Sequence, residues 1–225
     1  MIALKIDFVP ENTLSYCKNK DLTSGKAYYM EDSLGNIVYG GKICAEKYAT
    51  NDLLIIPDLT KSLVKKNSYT GTGGTTRGGS RGIAIDHDKS NAISYLVLRE
   101  EKLKNYPLLK KYSSSKITEL YNNYILNNDL TDDEVKRVFF YENNSANNFD
   151  RRLSFKNLLT CYAYEYIFDR ALELLYSEKK LEIVGSLKDY MFNNMKLSDP
   201  QIKLLDSIKD VLPQLDECEL KKFDY

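Results

Sequence analysis

The chain has 225 residues, 43% of them hydrophobic and 28% charged, which is ample for a buried core of ordinary globular size. Its 32 Lys and Arg balance 32 Asp and Glu, so no bulk charge draws it toward nucleic acid or an anionic membrane, and any such binding must come from a local patch. It has no apolar run of membrane-spanning length, no basic-then-apolar leader and four scattered cysteines, so a reducing, cytoplasmic location with no membrane partner is expected.

Leu4 to Val9 alternates apolar and polar residues before Pro10 and reads as a strand stopped by proline. A turn-rich connector carrying Cys17 follows. Ala27-Tyr28-Tyr29-Met30 and Ile37-Val38-Tyr39 are aromatic or β-branched runs joined by Asp32-Ser33-Leu34-Gly35-Asn36, the pattern of a hairpin. Gly40-Gly41 closes the second strand, and Ile43 to Ala49 opens as a short helix. Leu53-Leu54-Ile55-Ile56 before Pro57 fits either a strand or the end of that helix, since so short a run has no decisive period.

Ser68 to Gly82 divides the chain. Six of these fifteen residues are glycine and none is aliphatic, so the segment lacks the apolar surface that would offset the entropy of ordering it. Beyond it, Ile83-Ala84-Ile85 is strand-like. Lys89 to Lys104 has helical spacing with Ser90 as N-cap, until Pro107 breaks it. A helix is predicted over Ser115 to Asn127. Thr131 and Glu134 form a capping box, with Leu130 and Val135 as its hydrophobic staple, for a helix running toward Tyr141. Ser154 to Lys179 is apolar round much of its circumference, as in a helix central to its domain. Leu181 to Met195 continues helically with a break at Gly185. Ser198 and Gln201 form a second capping box, with Pro200 in the first turn and Ile202, Leu205, Ile208 and Leu212 as the core face.

The expected class is α+β. A β-rich, finger-like module spans residues 1–67, a flexible glycine-rich loop or linker 68–82, and a mainly α-helical bundle 83–225. The order of a cysteine-bearing turn at Cys17, a hairpin, and a glycine pair leading into a helix that carries Cys44 resembles a treble-clef zinc finger over residues 14 to 50. In that family two cysteine pairs hold a tetrahedral zinc. Here Lys20 and Lys47 stand three residues after each cysteine, where the resemblance would require further ligands. Three readings stand: a degenerate, metal-free finger; two small buried cysteines; or a zinc site completed by His87, a carboxylate or a second subunit.

Arg77-Gly78-Gly79 and Arg81-Gly82 resemble the Arg-Gly-Gly segments of RNA-binding proteins, in which guanidinium groups pair with phosphates or stack on bases. Together with Lys65 and Lys66 they form a local basic stretch. The alternative is a plain flexible loop, and no Gly-Lys-Ser/Thr follows that would make it a phosphate loop. His87 is the only histidine, and it stands between Asp86 and Asp88. Carboxylates close to it would raise its pKa and suit it to base or metal-ligand work, whereas a solvated turn is the structural alternative. Cys161, inside an apolar helix, reads as core. Cys218 lies among acidic residues that disfavour a thiolate.

The absence of Trp, the 18 Tyr and the abundance of Lys and Asn resemble proteins of AT-rich genomes, including many bacteriophages. The expected function is non-enzymatic: docking on a protein partner, in the manner of an inhibitor or a host–phage interaction protein. One alternative is nucleic-acid binding through Lys65, Lys66, Arg77 and Arg81. The other is a metal-dependent hydrolase or nuclease centred on Asp86, His87 and Asp88.

Overall fold

The computed structural model describes residues 1–65, 81–212, 215 and 218–225, with the backbone alone at 64, 65 and 81–87. Most of the glycine-rich stretch, including Arg77, lies outside the described residues, as does Lys66. The architecture is α+β: a small antiparallel sheet at the N-terminus followed by helices.

Strands β1 (Ile2–Phe8), β2 (Lys26–Glu31) and β3 (Ile37–Gly40) pair in the order β1-β2-β3, so β3 is an edge. The hairpin turn forms because Asp32 folds its carboxylate back onto the chain, accepting from the N–H of Leu34 at 2.8 Å and of Asn36 at 2.9 Å. Gly35 supplies the left-handed φ of +82° that closes it. Helix α1 (Lys42–Tyr48) then packs Cys44 and Ala45 on the sheet in a small core with Ala3, Met30 and Ile56. Leu53 to Ile56 is neither strand nor helix. Asp52 accepts from the Leu54 N–H at 2.8 Å and bends the segment into turns.

Strand β4 (Val64–Lys65) pairs antiparallel with β5 (Cys218–Glu219), tying the end of the N-terminal part to the C-terminal tail. Helix α2 spans Arg81–Val97. The run Ile83-Ala84-Ile85, read above as strand-like, is therefore helical, because three apolar residues carry too little period to separate the two states. Ser90 is not an N-cap. It sits inside α2, buried, and its hydroxyl donates to the Ile56 carbonyl at 2.7 Å. The helix widens into a π-helical turn at Leu98–Lys102, where the Leu103 N–H reaches back five residues to Leu98 at 2.8 Å.

Helix α3 (Pro107–Lys111) places its proline at the first turn, where the missing N–H leaves nothing unpaired. Helices α4 (Ser115–Asn127) and α5 (Asp132–Asn144) follow, α5 opened by the Thr131–Glu134 capping box, and Leu130 and Val135 are both buried beneath it. Helix α6 (Phe155–Leu174) is the centre of the bundle, with eleven of its twenty residues buried. It stops five residues short of the helical pattern: Leu175 turns extended at ψ 138° while its N–H still bonds Ala171. Helix α7 (Glu178–Asn194) passes through Gly185 without a break, since packing on the core outweighs the roughly 1 kcal/mol that glycine costs in a helix. Helix α8 (Asp199–Lys209) starts at the Ser198–Gln201 capping box as its sequence requires.

The sheet is packed directly on the bundle. Phe8 stacks on Tyr166 with ring centroids 4.3 Å apart and touches Tyr162 at 5.4 Å. Glu11 pairs with Arg170 at 3.0 Å, and Leu59 and Leu63 belong to the large helical core. Strand alternation would set Asp7 on the face opposite its apolar neighbours, yet it is 2% exposed. It meets Lys102 of the π-helical turn and Lys5 at 3.0 Å each, and it accepts the Tyr162 hydroxyl at 2.7 Å. A buried carboxylate is tolerable when it is paired and hydrogen-bonded on every side.

Candidate functional site

Cys17 and Cys44 lie far apart in sequence, but the fold brings them together. The turn carrying Cys17 is held to the edge of the sheet by the Tyr16 N–H, which donates to the Tyr39 carbonyl at 2.8 Å. The Tyr16 ring also meets Tyr48 of α1 edge-on at 5.5 Å, so the turn is clamped against the helix that bears Cys44. Gly40 makes room at the junction: a Cβ there would lie 2.8 Å from both Cβ and Sγ of Cys44 and 2.9 Å from Cε of Met30. Both thiols are free.

The two sulfurs sit in different surroundings. Cys44 is 2% exposed, and burial followed by its hydrogen bond to Cys17 pushes its thiol up. Cys17 is partly exposed on the turn. The hydrogen bond from Cys44 outweighs its slight desolvation, and the Ser15 hydroxyl, 3.7 Å away, adds to it, so the Cys17 thiol is pulled below its ordinary value. The pair thus has one partly exposed, more acidic sulfur and one buried, less acidic sulfur.

Beside Cys17 runs a groove of about 290 Å3 between the turn and β3, lined by Leu14, Ser15, Tyr16, Asn19, Ile37, Val38 and Tyr39. Leu14 is 48%, Tyr16 51% and Ile37 43% exposed, which is unusual for three large apolar side chains round one groove. Because the Tyr39 carbonyl points away from β2 to accept from Tyr16, ladder alternation aims the Ile37 N–H and C=O at the same open edge.

Two thiolates do not close a tetrahedral zinc site, and among the described residues no group of three or more His, Cys, Asp or Glu is placed to hold a metal. Asp86, His87 and Asp88 occupy successive positions within α2 and not a turn between elements. Of these, Asp88 is exposed. Arg81 is the first residue of α2 and Lys65 the last of β4, with Lys66 and Arg77 outside the described residues. Cys161 is fully buried as expected. Cys218 is buried in β5.

Sequence reading passed over Leu14, Tyr16 and Ile37. Which hairpin strand lies at the edge depends on β1 pairing with β2 and not with β3, and no local pattern encodes that choice. The Asp7–Lys102–Tyr162 network escaped for a related reason, since its partners come from three distant elements. Compared with protein-family models, with curated proteins and with solved structures, the chain matches none.

Proposed function

We propose that this chain is a non-enzymatic binding protein that docks on a protein partner, taking an extended segment of that partner at the part of the β3 edge that Tyr16 leaves open, beside Ile37. The support for this reading is the open edge itself. The Ile37 backbone groups face outward, and Leu14, Tyr16 and Ile37 offer apolar and aromatic surface on which alternate side chains of an added strand would rest. Strand addition draws affinity from main-chain hydrogen bonds and specificity from such side-chain contacts. Tyrosine suits the rim, burying its ring while its hydroxyl finds a partner.

The test is affinity capture from the native cell with the full chain, alongside Leu14→Asp and Ile37→Asp variants whose exposed side chains leave the core intact. The expected result is a protein partner that resists nuclease and moderate salt and is lost from both variants, each costing tenfold or more in affinity, about 1.4 kcal/mol. Capture unaffected by both substitutions, or a nucleic acid lost steeply with salt, contradicts the reading.

A further inference from the structure

We propose that Cys17 and Cys44 form a reversible dithiol–disulfide pair that takes oxidising equivalents from small-molecule disulfides of the glutathione type. The inference stands on the thiol geometry and is independent of the docking reading above.

The geometry points one way. Two free thiols from separate elements meet at one small core, Cys44 inside it and Cys17 packed against it, with no bond joining them and, among the described residues, no third ligand to make them a zinc site. Their approach is built in: Gly40 leaves space that any side chain would fill, and Tyr16 fixes the turn to both β3 and α1. Cys17 is the partly exposed member, with the Ser15 hydroxyl beside its sulfur and Lys18 next in the chain lowering its thiol further. Lys18 and Lys47 are exposed and near enough for their charges to act on the cysteines, and that charge suits a small disulfide that carries carboxylates. A partly exposed sulfur with raised thiolate character, backed by a buried second thiol, matches the division between an attacking and a resolving cysteine.

The exchange balances in two steps. The Cys17 thiolate attacks one sulfur of the small disulfide, forming a mixed disulfide and releasing one small-molecule thiolate, which takes up a proton. Cys44 gives its proton to solvent and attacks the Cys17 sulfur, closing the Cys17–Cys44 bond and expelling the second small-molecule thiolate, which is protonated in turn. The protein dithiol and one small disulfide become the protein disulfide and two small thiols. Excess thiol reverses both steps. Closure ties the turn at Cys17 covalently to α1.

The test equilibrates the full-length protein across a series of reduced-to-oxidised glutathione ratios, quenches in acid, alkylates free thiols and maps the peptides. Cys17 and Cys44 are expected to leave the alkylated pool together as one cross-linked peptide and to return with excess dithiothreitol. Cys161 and Cys218 should remain thiols throughout. In Cys44→Ala, Cys17 should stop at the glutathione adduct; in Cys17→Ser, the buried Cys44 should stay unmodified. Alkylation of both cysteines at every ratio in the unsubstituted protein overturns the proposal, as does a glutathione adduct on Cys17 that Cys44 never resolves. Equal uptake of glutathione by Cys44 in Cys17→Ser overturns the assignment of roles.

Discussion

Tyr162 of the central helix donates its hydroxyl to the Asp7 carboxylate of the first strand at 2.7 Å, across 155 positions of sequence. Burial alone would raise the Asp7 carboxyl. Lys102, then Lys5, and the Tyr162 hydroxyl outweigh it and hold the group below its ordinary 3.8. Burial, then the Asp7 carboxylate, pushes the Tyr162 hydroxyl well up, so it remains a donor throughout the working range of pH.

The Asp7 network should therefore stabilise the junction of sheet and bundle in a pH-dependent way. A carboxyl with a lowered folded pKa contributes fully above its unfolded value, near 3.8, and loses that contribution as pH falls through the lower folded value. Urea unfolding from neutral to acid pH should show this loss in the natural chain and a flatter profile in Asp7→Asn. At neutral pH Asp7→Asn should cost about 3 kcal/mol, because Lys5 and Lys102 lose their buried counter-charge. Tyr162→Phe should cost about 1.5–3 kcal/mol, as expected for a hydrogen bond to a charged group.

Two glycines should respond in opposite directions. Gly40→Ala puts a methyl 2.8 Å from Cys44 and should destabilise by about 1–3 kcal/mol. Gly185→Ala meets nothing within 4 Å inside a continuous helix and should stabilise by about 0.5–1 kcal/mol. Denaturant midpoints of the two variants give the comparison.

The α5 capping box gives a local prediction. Thr131 accepts from the Glu134 N–H at 3.3 Å while the Glu134 carboxylate accepts from the Thr131 N–H at 2.9 Å. Thr131→Ala should cost about 1 kcal/mol in unfolding free energy, measured by urea titration at neutral pH.

What was legible in the sequence follows from the range of the forces involved. The hairpin, both capping boxes and the ends of α4 are set by residues a few positions apart, and they fall where the sequence puts them. Ser90 was misread because a serine ahead of an apolar period signals a cap unless a distant carbonyl, here that of Ile56, claims its hydroxyl. The burial of Asp7 is not legible in the sequence because alternation ignores partners elsewhere in the chain. The apolar groove at β3 is not legible either, since edge position is a property of the assembled sheet.

The most direct measurement is amide hydrogen exchange at β3 in the free chain and in its complex with the captured partner. Strand addition predicts that the Ile37 amide, directed at the open edge, exchanges more slowly in the complex, with the slowing lost in Leu14→Asp as binding is lost. An Ile37 amide that exchanges equally fast free and bound, with protection confined to other parts of the chain, contradicts docking at this edge.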